Sequence, residues 1–166
     1  MKNSTEWSPR GIGEQILRTA SRGPNGAAGI YGRSVAGAAL RWFAMGRSGR
    51  RVLLTAAHHA NEWITAPLLM RFAGELAAGT WPGALDDTRV WFAPLVNPDG
   101  VNLVTGQLTS GSLYENAKSI AAQFPQVPFP DGWKANIRGV DLNLQYPAGW
   151  EEAKKIKYAA GWDRPA

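Results

Sequence analysis

Between residues 51 and 78 the hydrophobic period changes once, and that change constrains the fold more than any other stretch. Arg51 to Ala57 contains the continuous apolar run Val52-Leu53-Leu54, the pattern of a buried β-strand. Glu62 to Ala78 then repeats apolar residues at helical spacing. Leu68, Leu69, Phe72 and Leu76 share one face, and Pro67 sits in the first turn, where its missing N–H is tolerated. A strand feeding a helix is the building unit of layered α/β proteins. The link between them is polar: His58-His59-Ala60-Asn61-Glu62-Trp63.

The rest of the chain extends the same reading. Gly11 to Arg22 places Ile12, Ile16 and Leu17 at helical spacing. Ala27 to Tyr31 and Ala39 to Met45 read as strands. The segment Gly32-Arg33-Ser34-Val35-Ala36-Gly37 between them is a hairpin connection. Arg89 to Val96 is a further strand, rich in Val, Trp and Phe. After Asn97 turn residues dominate, apart from a helical stretch from Leu113 to Phe124 and a proline-rich patch from Pro125 to Pro130. The expected architecture is α/β, a mixed β-sheet flanked by helices.

With 166 residues the chain can bury a genuine core, and a charged content of 19% is that of a globular protein. The absence of cysteine removes disulfides, thiolate metal sites and thiol catalysis together. A net charge of +5 is scattered along the chain apart from Arg47 to Arg51 and Lys154 to Lys157. A nucleic-acid binder gathers such charge into a stripe with interleaved aromatics, so no nucleic-acid partner is expected. No stretch reaches the apolar length of a membrane span, and no membrane partner is expected. Met1 to Trp7 shows no apolar segment of a secretory signal, so a cytoplasmic location is expected.

In open α/β sheets ligands gather beyond the carboxyl ends of strands. Two polar clusters fall at such ends here, His58 to Glu62 and Asn97-Pro98-Asp99-Gly100. A histidine and a glutamate three residues apart can turn one imidazole nitrogen and one carboxylate toward a single zinc ion. A lone histidine at a strand end also serves as an ordinary hydrogen-bonding residue, and the spacing of His59 and Glu62 alone leaves both readings open. Asn97 to Gly100 on its own is turn chemistry. A third cluster holds Asp141 and Asn143, which alternate across Leu142 and share one face of an extended chain. An aspartate there could accept the second N–H of a metal-bound histidine; a solvated loop carboxylate is the alternative. Lys134 and Arg138 could polarise a carbonyl or hold a substrate carboxylate.

Taken together, and in this order, His59-Ala60-Asn61-Glu62-Trp63-Ile64-Thr65, Val96-Asn97-Pro98-Asp99-Gly100 and Gly139-Val140-Asp141-Leu142-Asn143 resemble the zinc metallocarboxypeptidase family. The resemblance runs over roughly residues 25 to 150. Trp133 to Asn143 and Gln145 to Glu152 look most like its bacterial γ-D-glutamyl-L-diamino acid endopeptidases, which cut peptidoglycan stem peptides. The resemblance implies a Zn2+ cofactor with His59 and Glu62 as two of its ligands, and Asp141 behind the histidine. It implies a substrate-binding role for Asn143, with Lys134 and Arg138 nearby. Carboxypeptidases follow that asparagine with an arginine that grips the terminal carboxylate. Here Leu144 stands in its place, which removes a bidentate cation and fits action away from a free C-terminus.

The same resemblance implies a third zinc ligand, a histidine, and a general-base glutamate, both in the C-terminal half of the family's domain. No histidine follows His59, so no catalytic residue is assigned within this chain. Residues 1–166 are therefore expected to be the N-terminal portion of one catalytic domain, truncated and inactive alone. The uncovered sheet edge is expected to be open to pairing. Other expectations are one half of a split enzyme, a relative that binds cell-wall peptides without cleaving them, and a zinc acylase acting on N-acyl amino acids.

Overall fold

The computed structural model describes residues 8–161. Helix α1 covers Pro9–Arg22; the side chain of Ser8 caps it by accepting from the amide of Gly11, and Pro9 stands where no N–H is needed. Strands β1 (Ala27–Arg33) and β2 (Ala39–Gly46) form the expected hairpin, followed by β3 (Arg50–Thr55) and α2 (Thr65–Ala77). Strand β4 (Thr88–Ala93) leads to α3 (Pro98–Val104), and α4 (Ser112–Ala121) and α5 (Trp150–Ala159) complete the order.

The sheet order is β1-β2-β4-β3. β1 and β4 pair antiparallel with β2, and β3 runs parallel to β4, so the sheet is mixed, as expected. Phe43 and Phe92 are register partners, both fully buried, with rings stacked at 4.6 Å. Around them Ile12, Ile16 and Ala20 of α1 and Met70, Ala73 and Leu76 of α2 close the main core on one face of the sheet. Gly46 shows why the turn after β2 needs glycine. Its φ is +99°, and a Cβ there would lie 2.1 Å from the carbonyl oxygen of Thr88.

Four expectations need correction. β3 is an edge strand of the described sheet, opposite β1, not a buried one, and Leu53 on it is 67% exposed. A run of apolar residues does not encode which strand will sit outermost. The buried face of α2 is Ala66, Pro67, Met70, Ala73 and Leu76, while Leu68 points to solvent and Leu69 and Phe72 are half-buried against the core. On α1 Leu17 is likewise exposed, because Ile12, Ile16 and Ala20 define the inward stripe. Finally, Asn97 to Gly100 is no free turn. It begins helix α3, with Pro98 in the first helical turn.

A second, smaller core joins α3 and α4 to irregular chain: Ala60, Leu103, Val104, Ala117, Trp133 and Ile137. It lies under the polar segments that follow β3 and β4. No residue of α5 is buried. Among the described residues no helix is long and apolar enough to cross a membrane.

Candidate metal centre

The parallel pair β3–β4 aims both of its carboxyl ends at one place. Pairing continues past the strands. The amide of Ala56 donates to Ala93 O at 3.1 Å, that of Val96 to Ala56 O at 3.1 Å, and that of Asn97 to Ala57 O at 3.0 Å. At Ala57 the chain reverses with φ +52°, a left-handed conformation that a residue with a Cβ disfavours. Both sides of that residue are held. Its N–H donates to Thr65 Oγ1 at 2.9 Å, and the same hydroxyl donates to Glu62 O at 2.7 Å. A disfavoured conformation held by its surroundings beside polar residues is typical of a functional site.

The reversal delivers His59 to a pair of carboxylates. Its Nδ1 lies 3.0 Å from Glu62 Oε1, and its Nε2 lies 3.1 Å from Asp141 Oδ1. The short 3-10 turn Ala60–Glu62 is what folds the glutamate back onto the ring. The histidine side chain is 16% exposed and that of Asp141 20%, whereas Glu62 is 54% exposed. The carboxylate behind the ring is therefore sheltered and the one in front is open. Either ring nitrogen can donate to the carboxylate beside it; in the Nε2–H tautomer Asp141 accepts the proton, and the Nδ1 lone pair lies on the same accessible side as Glu62. An imidazole nitrogen and a carboxylate oxygen are both donor types that zinc accepts. Among the described residues no third histidine, aspartate or glutamate joins them in a group that could hold a metal ion.

His58 turns away from this point. Its Nε2 lies 2.7 Å from the hydroxyl of Tyr146, with the rings 5.8 Å apart. Burial and the neighbouring His59 push its pKa below the ordinary histidine value. Tyr31 belongs to the same surface: burial first, then Tyr146, push its hydroxyl pKa up. Neither His58 nor the tyrosines were singled out by sequence reasoning, because the contact to Tyr146 spans 88 positions.

The structure brings Asp141 to His59 by a route the sequence misread. Asp141 and Asn143 do not alternate in extended chain. Asp141 caps a 3-10 turn, Leu142–Leu144, and its Oδ1 also accepts from the amide of Asn143 at 3.1 Å. Asn143 is exposed. Lys134 and Arg138 are exposed as well; their backbones carry the packing. The carbonyl of Lys134 accepts from the amide of Ala60 at 2.9 Å, and the amide of Arg138 donates to Asn136 Oδ1 at 2.9 Å.

Two buried residues of the Asn97 to Gly100 segment do more than a turn requires. Asp99, 3% exposed, accepts from Ser34 Oγ at 2.7 Å and from the amide of Ala36 at 2.9 Å, so it anchors the β1–β2 hairpin. Asn97, 2% exposed, donates through Nδ2 to His58 O at 3.1 Å and to Ala135 O at 2.9 Å.

The γ-D-glutamyl-L-diamino acid endopeptidase 1 of Lysinibacillus sphaericus is 39% identical over 130 residues, covering 72% of this chain and 32% of that protein. The uncharacterized protein YqgT of Bacillus subtilis is 37% identical over 122 residues, covering 67% and 32%. The chain thus spans about a third of the length of these curated relatives. Among solved structures, the metallo-carboxypeptidase from Burkholderia cenocepacia shares the fold, with a TM-score of 0.56 at 18% identity over 91% of this chain and 38% of that one. The metallo-carboxypeptidase from Pseudomonas aeruginosa gives a TM-score of 0.53 at 16% identity over 92% and 36%. The family model for zinc carboxypeptidases matches residues 19–161, most of the chain. The chain belongs to the zinc carboxypeptidase family of peptidases.

Proposed function

We propose that residues 1–166 are the N-terminal portion of a zinc peptidase domain that cleaves γ-D-glutamyl-diamino acid bonds in peptidoglycan-derived peptides. The observation that carries the reading is the placement of His59 between two carboxylates, one sheltered and one open. His59 Nδ1 and Glu62 would hold the zinc, and Asp141 would keep the imidazole in the tautomer and orientation that binding needs. When bound, zinc would lower the pKa of a water and polarise the scissile carbonyl. The third protein ligand and the general-base glutamate would come from sequence beyond this segment, since the chain holds only two histidines and His58 is engaged with Tyr146.

Support for the substrate class comes from the relative in Lysinibacillus sphaericus and from Leu144, which takes the place of the carboxylate-gripping arginine. Asn143, exposed on the turn that Asp141 caps, is suited to hydrogen-bond a substrate carboxylate or carbonyl. Lys134 and Arg138 supply exposed positive charge on the adjoining segment for the acidic groups of such a peptide.

The test is hydrolysis by a polypeptide that includes this segment and spans the family's full domain. A γ-D-glutamyl-diaminopimelate peptide and a set of N-acyl amino acids are offered in parallel, with and without a zinc chelator. Chelator-sensitive cleavage of the first alone is expected. Preference for the N-acyl amino acids would instead assign an acylase. Peptide binding without cleavage, unchanged in His59→Ala, would assign a non-catalytic binder.

A further inference from the structure

Three stretches of chain that are distant in sequence meet beneath the metal pair: Ala57 to Ala60, Asn97 to Gly100, and Lys134 to Asp141. Their meeting point is buried and tight, with Asn97 2% exposed. Asn97 uses every polar atom of its side chain there. Oδ1 accepts from the amide of Gly100 at 3.1 Å and so caps α3, and the two protons of Nδ2 reach His58 O and Ala135 O. The backbone N–H of Asn97 donates to Ala57 O, and the N–H of Ala60 donates to Lys134 O. Gly100 fills the remaining space. A Cβ on it would lie 2.7 Å from Ala135 O and 2.8 Å from the Cβ of Ala60, contacts that real side chains do not make.

From this junction each of the two outer stretches carries one half of the histidine–carboxylate pair. One step beyond His58 O is His59. One step beyond Ala135 is Asn136, whose Oδ1 accepts from the amides of Arg138 at 2.9 Å and Val140 at 3.1 Å, which sets the path to Asp141. The donor protons of Nδ2 hold the two carbonyls together, where without it two acceptor oxygens would face each other in a low-dielectric site. We propose that Asn97 is a positioning residue. Its carboxamide, backed by Gly100, sets the separation of His59 from Asp141 and thereby the aim of the imidazole. The importance of this for chemistry rests on the metal-site reading above. The geometric claim does not, since it concerns the metal-free chain.

The test uses the chain itself, metal-free and at one fixed neutral pH. Because it has two histidines, a long-range proton–nitrogen NMR spectrum holds only two imidazoles, assigned with His58→Gln and His59→Gln. Asn97→Asp keeps the cap on Gly100 and replaces the Nδ2 donor with an acceptor facing two carbonyl oxygens. Gly100→Ala keeps the carboxamide chemistry but wedges the same stretches apart and presses on Asn97 itself, since a Cβ there would also lie 2.7 Å from Asn97 Nδ2. Thr105→Val is the control. It removes a buried hydroxyl of the same region, bonded at 2.6 Å to Val101 O, without touching either outer stretch. Asn97→Asp and Gly100→Ala are each expected to abolish the hydrogen bond between His59 Nε2 and Asp141 and change the pattern of the His59 imidazole signals. Thr105→Val should lower the melting temperature and leave that pattern as in the parent. The proposal is overturned if the His59 pattern survives in Asn97→Asp or Gly100→Ala, or if Thr105→Val alters it equally. Loss of the native fold in both Asn97→Asp and Gly100→Ala, with Thr105→Val folded, would also overturn it, by assigning the junction a folding role.

Discussion

The two hydrophobic cores of this chain are built by different rules. The main core takes most of its side chains from β2, β4, α1 and α2, elements whose apolar residues recur with a strand or helix period. The smaller core takes Trp133 and Ile137 from irregular chain and Ala60 from the turn that carries the candidate metal ligands. The first core sets where strands end; the second sets where the loops beyond those ends come to rest. The candidate site lies between them, with Ala57 packed into one core and Ala60 into the other. Its geometry therefore depends on the less regular core as much as on the sheet.

Truncation at the centre of each core should separate these roles. Phe43→Ala removes a fully buried ring stacked on Phe92, and should cost about 3–5 kcal/mol in chemical denaturation, enough to threaten the whole fold. Ile137→Ala removes a fully buried side chain from the smaller core and should cost roughly 2–5 kcal/mol. It should also loosen the Trp133 to Asp141 segment, so the His59–Asp141 hydrogen bond is lost while far-UV circular dichroism stays close to the parent. Equal loss of helix signal in both variants would mean that the two cores form one cooperative unit.

A smaller effect is expected at the hairpin. Asp99→Asn leaves Ser34 and Ala36 facing a carboxamide where a buried carboxylate stood, and should destabilise the chain by about 1–3 kcal/mol. The His59 imidazole signals should not move, because the hairpin belongs to the main-core side.

His58 supplies a pH test. Its folded pKa lies below the ordinary histidine value, so the unfolded chain takes up protons first as pH falls. Its contribution to stability is complete above the unfolded pKa, about 6.5, and is lost as pH falls from there through the lower folded pKa. The melting temperature should drop over that window, and His58→Gln should flatten the part of the drop that His58 causes. An identical slope in the variant would contradict the assignment. The smallest effect is reserved for the sheet edge. Leu53→Thr should change stability by no more than about 0.5 kcal/mol, since Leu53 is exposed, yet lower any self-association seen by sedimentation.

How far the sequence carried the fold follows from the same contrast. Strands β1, β2 and β4 and helices α1 and α2 were visible because their periods are local. The burial of β3 was misjudged because an edge strand and a central strand can share the run Val52-Leu53-Leu54; position in the sheet is a tertiary fact. Helix α3 was missed because Asn-Pro-Asp-Gly favours a turn equally well, and only the tertiary roles of Asn97 and Asp99 select the helix start. At the site, the spacing of His59 and Glu62 could be read directly. The approach of Asp141 could not, since it arrives from 82 positions away along irregular chain. Family resemblance pointed to it, and the structure places it within hydrogen-bonding distance of Nε2.

Within that account, weakening the sheltered carboxylate should matter less than removing a ligand. Asp141→Asn is expected to lower zinc affinity by roughly 10–100-fold in a polypeptide spanning the family's full domain. The most direct test of the central claim is zinc stoichiometry in that same polypeptide, measured by elemental analysis after exhaustive dialysis. One tightly held zinc per chain is expected, lost in both His59→Ala and Glu62→Ala. A folded full-domain polypeptide that retains no zinc, or a His59→Ala variant that keeps it, would overturn the assignment of His59 and Glu62 as ligands.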